Sequence, residues 1–195
     1  MHAAHDAPIL APAAPYRYAR TIDLKADRRA AVGVNVAFAV VAAGFVGAAL
    51  LLDVPVRGTW PPALVVAVTL VACLAYMWAH EATHGVLLTV FSGAPSRYAL
   101  RPPYLTCGND AFVGRGAFLA VALGPLVLWG AVLAFLSAVA PPDLALTVYV
   151  LTALNLAGSA GDLYQARVAL ALPVHALLRD DGTVTTILVA DDHPA

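Results

Sequence analysis

The fold class this sequence predicts is an all-α membrane protein of about four transmembrane helices. Three observations carry that expectation. Of 195 residues, 61% are hydrophobic and only 12% are charged, which is too apolar for an ordinary soluble domain. The apolar residues gather into four runs, each long enough to cross a bilayer. Between the runs lie stretches rich in Pro, Gly and charge that stop helices. A net charge of −1, with no basic field and no Gly-rich phosphate loop, excludes nucleic acid and nucleotides as partners. Cys73 falls in an apolar run and Cys107 in a polar loop, so neither a disulfide framework nor a C-x-x-C site is indicated.

Residues 1–28 form an N-terminal segment, Ala- and Pro-rich at first and then basic through Arg17, Arg20, Lys25 and Arg28. His2 and His5 read as incidental surface residues of its extreme end. The first span, about 30–52, is longer than a signal-peptide core and is read as a retained helix. Asn35 within it is suited to bonding a neighbouring helix. Asp53 to Pro62 is a short connection, and the second span follows at about 63–91. Residues 92–115 change composition sharply, with prolines that forbid a continuous helix. The 95–110 loop has room for a short β-hairpin over Tyr98 to Cys107, whose edge could hold an extended peptide, or for a plain interhelical loop. The third span, about 117–140, contains Gly124 and Pro125, which can kink the helix and free a carbonyl. Pro141 and Pro142 end it, and a fourth span runs from about 144 to 172. In the tail, 173–195, the β-branched content of Thr183 to Val189 predicts a short strand. Four spans put every Lys and Arg except Arg57 on one side, so both termini are expected in the cytoplasm, with the chain a multi-pass protein of the cell membrane.

The chemistry lies in the second span, in His80-Glu81-Ala82-Thr83-His84. H-E-x-x-H on a helix places the two histidines one turn apart on one face, where they can hold zinc, with the glutamate beside them as general base. Glu81 is the only glutamate in the chain. Ionisable residues at membrane depth are costly and mark functional sites. A catalytic zinc site needs a third protein ligand. His80 lies nineteen residues beyond Pro61, and Asp162 nineteen beyond Asp143, so at ~1.5 Å per residue both are roughly 30 Å from the same outer boundary. Asp162 is therefore the favoured third ligand and His175 the alternative, reachable only if the tail folds back. Asn155, seven residues before Asp162, shares its helical face and suits the substrate carbonyl or an oxyanion.

HEATH on a membrane helix, the Pro-containing loop, Gly-Pro in the third span and Asn155-Leu-Ala-Gly-Ser-Ala-Gly-Asp162 in the fourth resemble the putative zincin peptidase family of small multi-pass bacterial membrane proteins. They are also similar to the core of the site-2 protease class. The resemblance spans about Arg29 to Leu172 and makes 29–172 a membrane-embedded metallopeptidase-like domain between two cytoplasmic segments. It implies His80, His84 and Asp162 as zinc ligands, Glu81 as the catalytic base, and a membrane protein or peptide as substrate, reached from the lipid bilayer or its surface. The rival reading is a metal-binding membrane protein without proteolysis, a transporter or a scaffold. A transporter needs ionisable groups spread across depth, whereas here they cluster at one level.

Overall fold

The computed structural model describes residues 15–24, 26–51, 58–101 and 104–191. His2, His5, Lys25, Asp53, Arg57, Pro102 and Pro103 lie outside them. Four helices long and apolar enough to cross a membrane run Arg28–Leu51, Pro62–Ser92, Arg115–Val139 and Pro142–Leu170. Each begins a residue or two ahead of its expected start. We label them α1, α2 and α3, with the fourth divided as described below.

Local chemistry sets the ends. Asp27 Oδ1 accepts the backbone N–H of Arg29 and Ala30 at 2.9 and 3.2 Å, capping the donors that α1 would leave unsatisfied. Pro62 opens α2 where a missing N–H is harmless. Gly93, at φ 71°, closes it with its N–H on Thr89 O, a left-handed C-cap that a side chain would strain. Pro141 and Pro142 stop α3, and Pro142–Leu144 form one 3-10 turn before α4 (Ala145–Gly158) and α5 (Ala160–Leu170). One continuous fourth helix was expected. The chain instead deviates at Ser159, φ −77° and ψ 8°, within Gly158-Ser159-Ala160-Gly161, where small residues give the helix little side-chain support.

Asp143 accepts hydrogen bonds from the Thr59 N–H and hydroxyl and the Trp60 N–H. This fastens the beginning of the fourth span to the beginning of α2. Counting along both helices from that level is therefore counting from one origin. Thr69 and Thr147 share a hydroxyl bond of 2.8 Å between α2 and α4. α1 packs on α4 and α5, where Tyr149 donates to Phe45 O at 2.6 Å. Asn35 does not reach a neighbouring helix; its Nδ2 donates to Ala31 O of α1 itself at 2.8 Å, the local bond a short amide finds most easily. Ala30 alone of the α1 residues is buried, as befits a helix at the edge of the bundle that packs on its neighbours along one side.

The extramembrane parts hold more strand than the sequence announces. Of the two readings open for the 95–110 loop, the sequence favours a plain connection, and the hairpin is what forms: β2 (Arg97–Arg101) pairs with β3 (Tyr104–Gly108) in antiparallel register, Tyr98 opposite Cys107. The tail contributes two strands, β5 (Leu177–Asp180) and β6 (Thr185–Ala190), rather than one. They join β4 (Val113–Gly114) and β1 (Tyr16–Ile22) in a sheet of order β1-β6-β5-β4. β1 lies in the segment read from sequence as a basic lead-in; its burial pattern is exposed along most of its length, so no alternation marked it. The larger core forms where this sheet meets the helices, from Ile22, Leu88, Phe118, Val121, Ala166, Leu178 and Ile187. Asn109, 2% exposed, locks the parts together: its amide donates to Ser92 Oγ and Ala94 O, and its N–H to Asp180 O.

Candidate metal centre

Positions 76, 80, 84 and 88 of α2 form one stripe, the i, i+4 face of a helix. Along it lie Tyr76, His80, His84 and Leu88, all buried or nearly so. The stripe faces α3 and the junction of α4 and α5. Asp162, in the first turn of α5, reaches back to it: Oδ2 is 3.2 Å from His80 Nε2 and Oδ1 is 3.4 Å from His84 Nε2. The two imidazole rings stand 4.9 Å apart, centroid to centroid. One donor atom from each of His80, His84 and Asp162 falls within 4.8 Å of the others. His175 is not part of this group.

Hydrogen bonds decide the tautomers. A carbonyl can only accept, so His84 Nδ1, 2.9 Å from Val121 O, carries a proton, and Nε2 is the nitrogen left to face Asp162. For His80 the logic runs through two side chains. Asn155 Nδ2 donates to Leu126 O at 3.2 Å, which orients the amide and presents Oδ1 to the Tyr76 hydroxyl at 2.6 Å. Having donated there, the Tyr76 oxygen accepts from His80 Nδ1 at 3.1 Å. Both histidines therefore turn Nε2 toward Asp162, each held by a partner on its other nitrogen, as metal-ligating histidines are. Thr83, between them, accepts from Trp129 Nε1 at 3.1 Å and ties the pentad to α3.

The donor set suits zinc: two imidazole nitrogens and one carboxylate are a catalytic ligand combination. For bonds of ~2.1 Å, the edges of a tetrahedron are roughly 3.4 Å, close to the two His–Asp separations above.

Residues 62–177 match the family described as putative zincin peptidase, more than half of the chain. The chain belongs to that family. No curated protein and no solved structure matches it. The matched stretch carries every residue of the centre described above, from Tyr76 to Asp162.

Two clefts meet at the centre. The first, about 210 Å³, is walled by Glu81, His84 and Asp162, by Thr106 and Cys107 of β3, and by Asp180 and Gly182 of the β5–β6 turn. The second, about 360 Å³, runs between α1, α2 and α4 past Asn35, Phe38, Met77 and His80. Glu81, Leu105 and Asp162 belong to both. The hairpin is held over α2 by Ser96 Oγ on Gly85 O at 2.9 Å and by Tyr98, whose hydroxyl occupies the space a side chain at Gly85 would fill. Asn155 lines neither cleft; it is 1% exposed and its amide is engaged on both sides.

Sequence reasoning did not single out Tyr76 or Asp180. The first was legible, since it stands four residues before His80 on the same face. The second was not, because nothing in a polar tail marks the one carboxylate that folds back to a cleft. Burial there pushes the Asp180 carboxyl up to about 6, against the lowering effect of the Gly182 N–H bond. Burial, reinforced by the charges of Glu81, Asp180 and Asp162, also pushes the Cys107 thiol up to about 12, so this cleft-lining cysteine is an inert thiol.

Proposed function

We propose that the protein is a membrane-embedded zinc metallopeptidase that hydrolyses peptide bonds of membrane-associated proteins. The observation that carries this reading is the convergence of His80, His84 and Asp162 where the two clefts meet, with Glu81 and Asp162 on the walls of both. His80, His84 and Asp162 would hold the ion. Zinc bound there would supply a Lewis acid that acidifies water and polarises a peptide carbonyl. Glu81, the next residue after His80 and not a member of the ligand group, takes the proton of the attacking water at its carboxylate and delivers it to the leaving nitrogen.

The β3 strand is where substrate is held. Leu105 borders both clefts, so an extended segment added along that strand would cross from one to the other past Glu81. The cleft beside α1 suits a segment arriving from lipid, and the cleft under the β5–β6 turn, with Thr106, Asp180 and Thr183 on its wall, suits water arriving from the cytoplasm. Asn155 acts here as a positioning residue for His80 through Tyr76, in place of the oxyanion role expected of it. The arrangement of two helical histidines, a distal aspartate and a strand edge is also what a core similar to that of site-2 proteases would contain. Clustering of the ionisable groups at one depth serves hydrolysis and gives a transported ion no path.

The deciding experiment is metal analysis of the detergent-purified protein by mass spectrometry for wild type, His84→Ala, Asp162→Ala and Glu81→Gln. One zinc per chain, lost in the first two variants and retained in Glu81→Gln with hydrolysis of a membrane-protein substrate abolished, is the expected result. A wild-type protein that takes up no metal after reconstitution with zinc overturns the reading.

A further inference from the structure

The hydrogen bond that fixes His84 exists because of a proline. In an uninterrupted α-helix the carbonyl of residue i accepts the N–H of residue i+4. Four residues beyond Val121 stands Pro125, inside α3, and proline has no N–H to give. Val121 O is thereby released from the helix ladder inside an apolar helix, about two turns from its start, where an unsatisfied carbonyl is costly. His84 Nδ1 fills that vacancy from the neighbouring helix at 2.9 Å. Val121, Pro125 and His84 are all buried, so water is a poor substitute on either side. Gly124 completes the arrangement, because the space its missing side chain leaves is occupied by Leu87 Cδ1 of α2, bringing the two helices close enough for the bond.

We propose that Pro125 is a positioning residue of the metal centre: by withholding a backbone N–H it reserves Val121 O for His84 Nδ1, fixing the tautomer that aims Nε2 at Asp162. The inference rests on the reading of His84 as a metal ligand, but its geometric half does not need metal. A residue with an N–H at position 125 restores a competing donor for the same carbonyl. Carbonyl partners of ligand histidines matter by about 10- to 100-fold in metal affinity, and competition for this one acts in the same range.

The test compares, in full-length protein in detergent, wild type, Pro125→Ala, and a chain in which residue 125 is replaced by lactic acid, the ester analogue of alanine. The ester lacks both the proline ring and the N–H. Two readouts are taken: zinc affinity by competition with a chromophoric chelator, and the His84 tautomer from side-chain nitrogen NMR of the metal-free protein. Pro125→Ala should bind zinc at least tenfold more weakly and show mixed His84 tautomers, while the ester should match wild type in both. An ester as impaired as Pro125→Ala overturns the proposal, since the ring and its kink would then be what counts, and so does a Pro125→Ala protein indistinguishable from wild type. Should wild type bind no zinc while the tautomer pattern follows the N–H as stated, the metal reading fails and the assignment of Pro125 stands.

Discussion

His80 and His84 lie one turn apart on one helix, yet they are fixed by different means. His84 leans on a backbone carbonyl, whereas His80 depends on a relay of two side chains, Tyr76 and Asn155, that ends on Leu126 O. Each relay member has one donor and one acceptor role assigned by its neighbour, so the chain of bonds has a single direction. Asp180 is the other residue whose environment sets its behaviour. Its folded value of about 6 lies above the ~3.9 of an unfolded aspartate. The folded protein therefore holds the extra proton between about pH 4 and 6, and stability falls as pH rises through that window. Melting temperatures measured from pH 4 to 7 should show wild type losing stability, on the order of 2 kcal/mol, relative to Asp180→Asn. Parallel curves for the two proteins would rule out a buried, proton-holding Asp180. Of these residues the pentad was legible because its chemistry and its spacing coincide in five consecutive positions. Asp180 was not, because its cleft is assembled from segments far apart in sequence.

Among the elements, the β-structure does the least expected work. The β2–β3 hairpin and the β5–β6 turn meet backbone to backbone at Gly108, where an added side chain would collide with the main chain of Asp181 and Gly182. Gly182, at φ 87°, sits against Cys107 O, and both glycines are needed for so close an approach. Gly108→Ala should therefore separate the hairpin from the turn and destabilise the protein by about 1–3 kcal/mol. Gly114→Ala, at a site with open space around it and φ −66°, should be close to neutral. Thermal unfolding of the two variants side by side checks this, and equal melting temperatures would sink it. The prolines of the 95–110 loop forbade helix and so left room for the hairpin, but they did not choose it over a plain loop, because strand pairing is not a local property. The pairing of β1 with β6 could not, since an exposed edge strand shows no period-2 alternation.

At the scale of the whole molecule, a sheet closes one end of a four-helix bundle. β1 precedes the first span and β6 follows the last, and the two pair along Tyr16 to Ile22, as an even number of crossings requires. Both ends should then be reached from the same side of the membrane, the cytoplasmic one by the distribution of Lys and Arg. Epitope tags at the two ends should both be protected from protease in sealed right-side-out vesicles and both cleaved in inverted ones; cleavage of one tag in each orientation would refute the arrangement. What the residue order alone determined was the set of four long apolar helices and the HEATH pentad, because hydrophobic length and helical spacing are local properties of the chain. The common depth of Asp162 and the histidines was also within its reach, since rise per residue is constant and both helices start from one level. Which carbonyl holds His84, which side chains orient His80, and which tail residues wall the cleft were decided only by tertiary structure. His84 and Val121 are 37 positions apart and Tyr76 and Asn155 are 79 apart, and no local pattern encodes which buried polar group will find which partner.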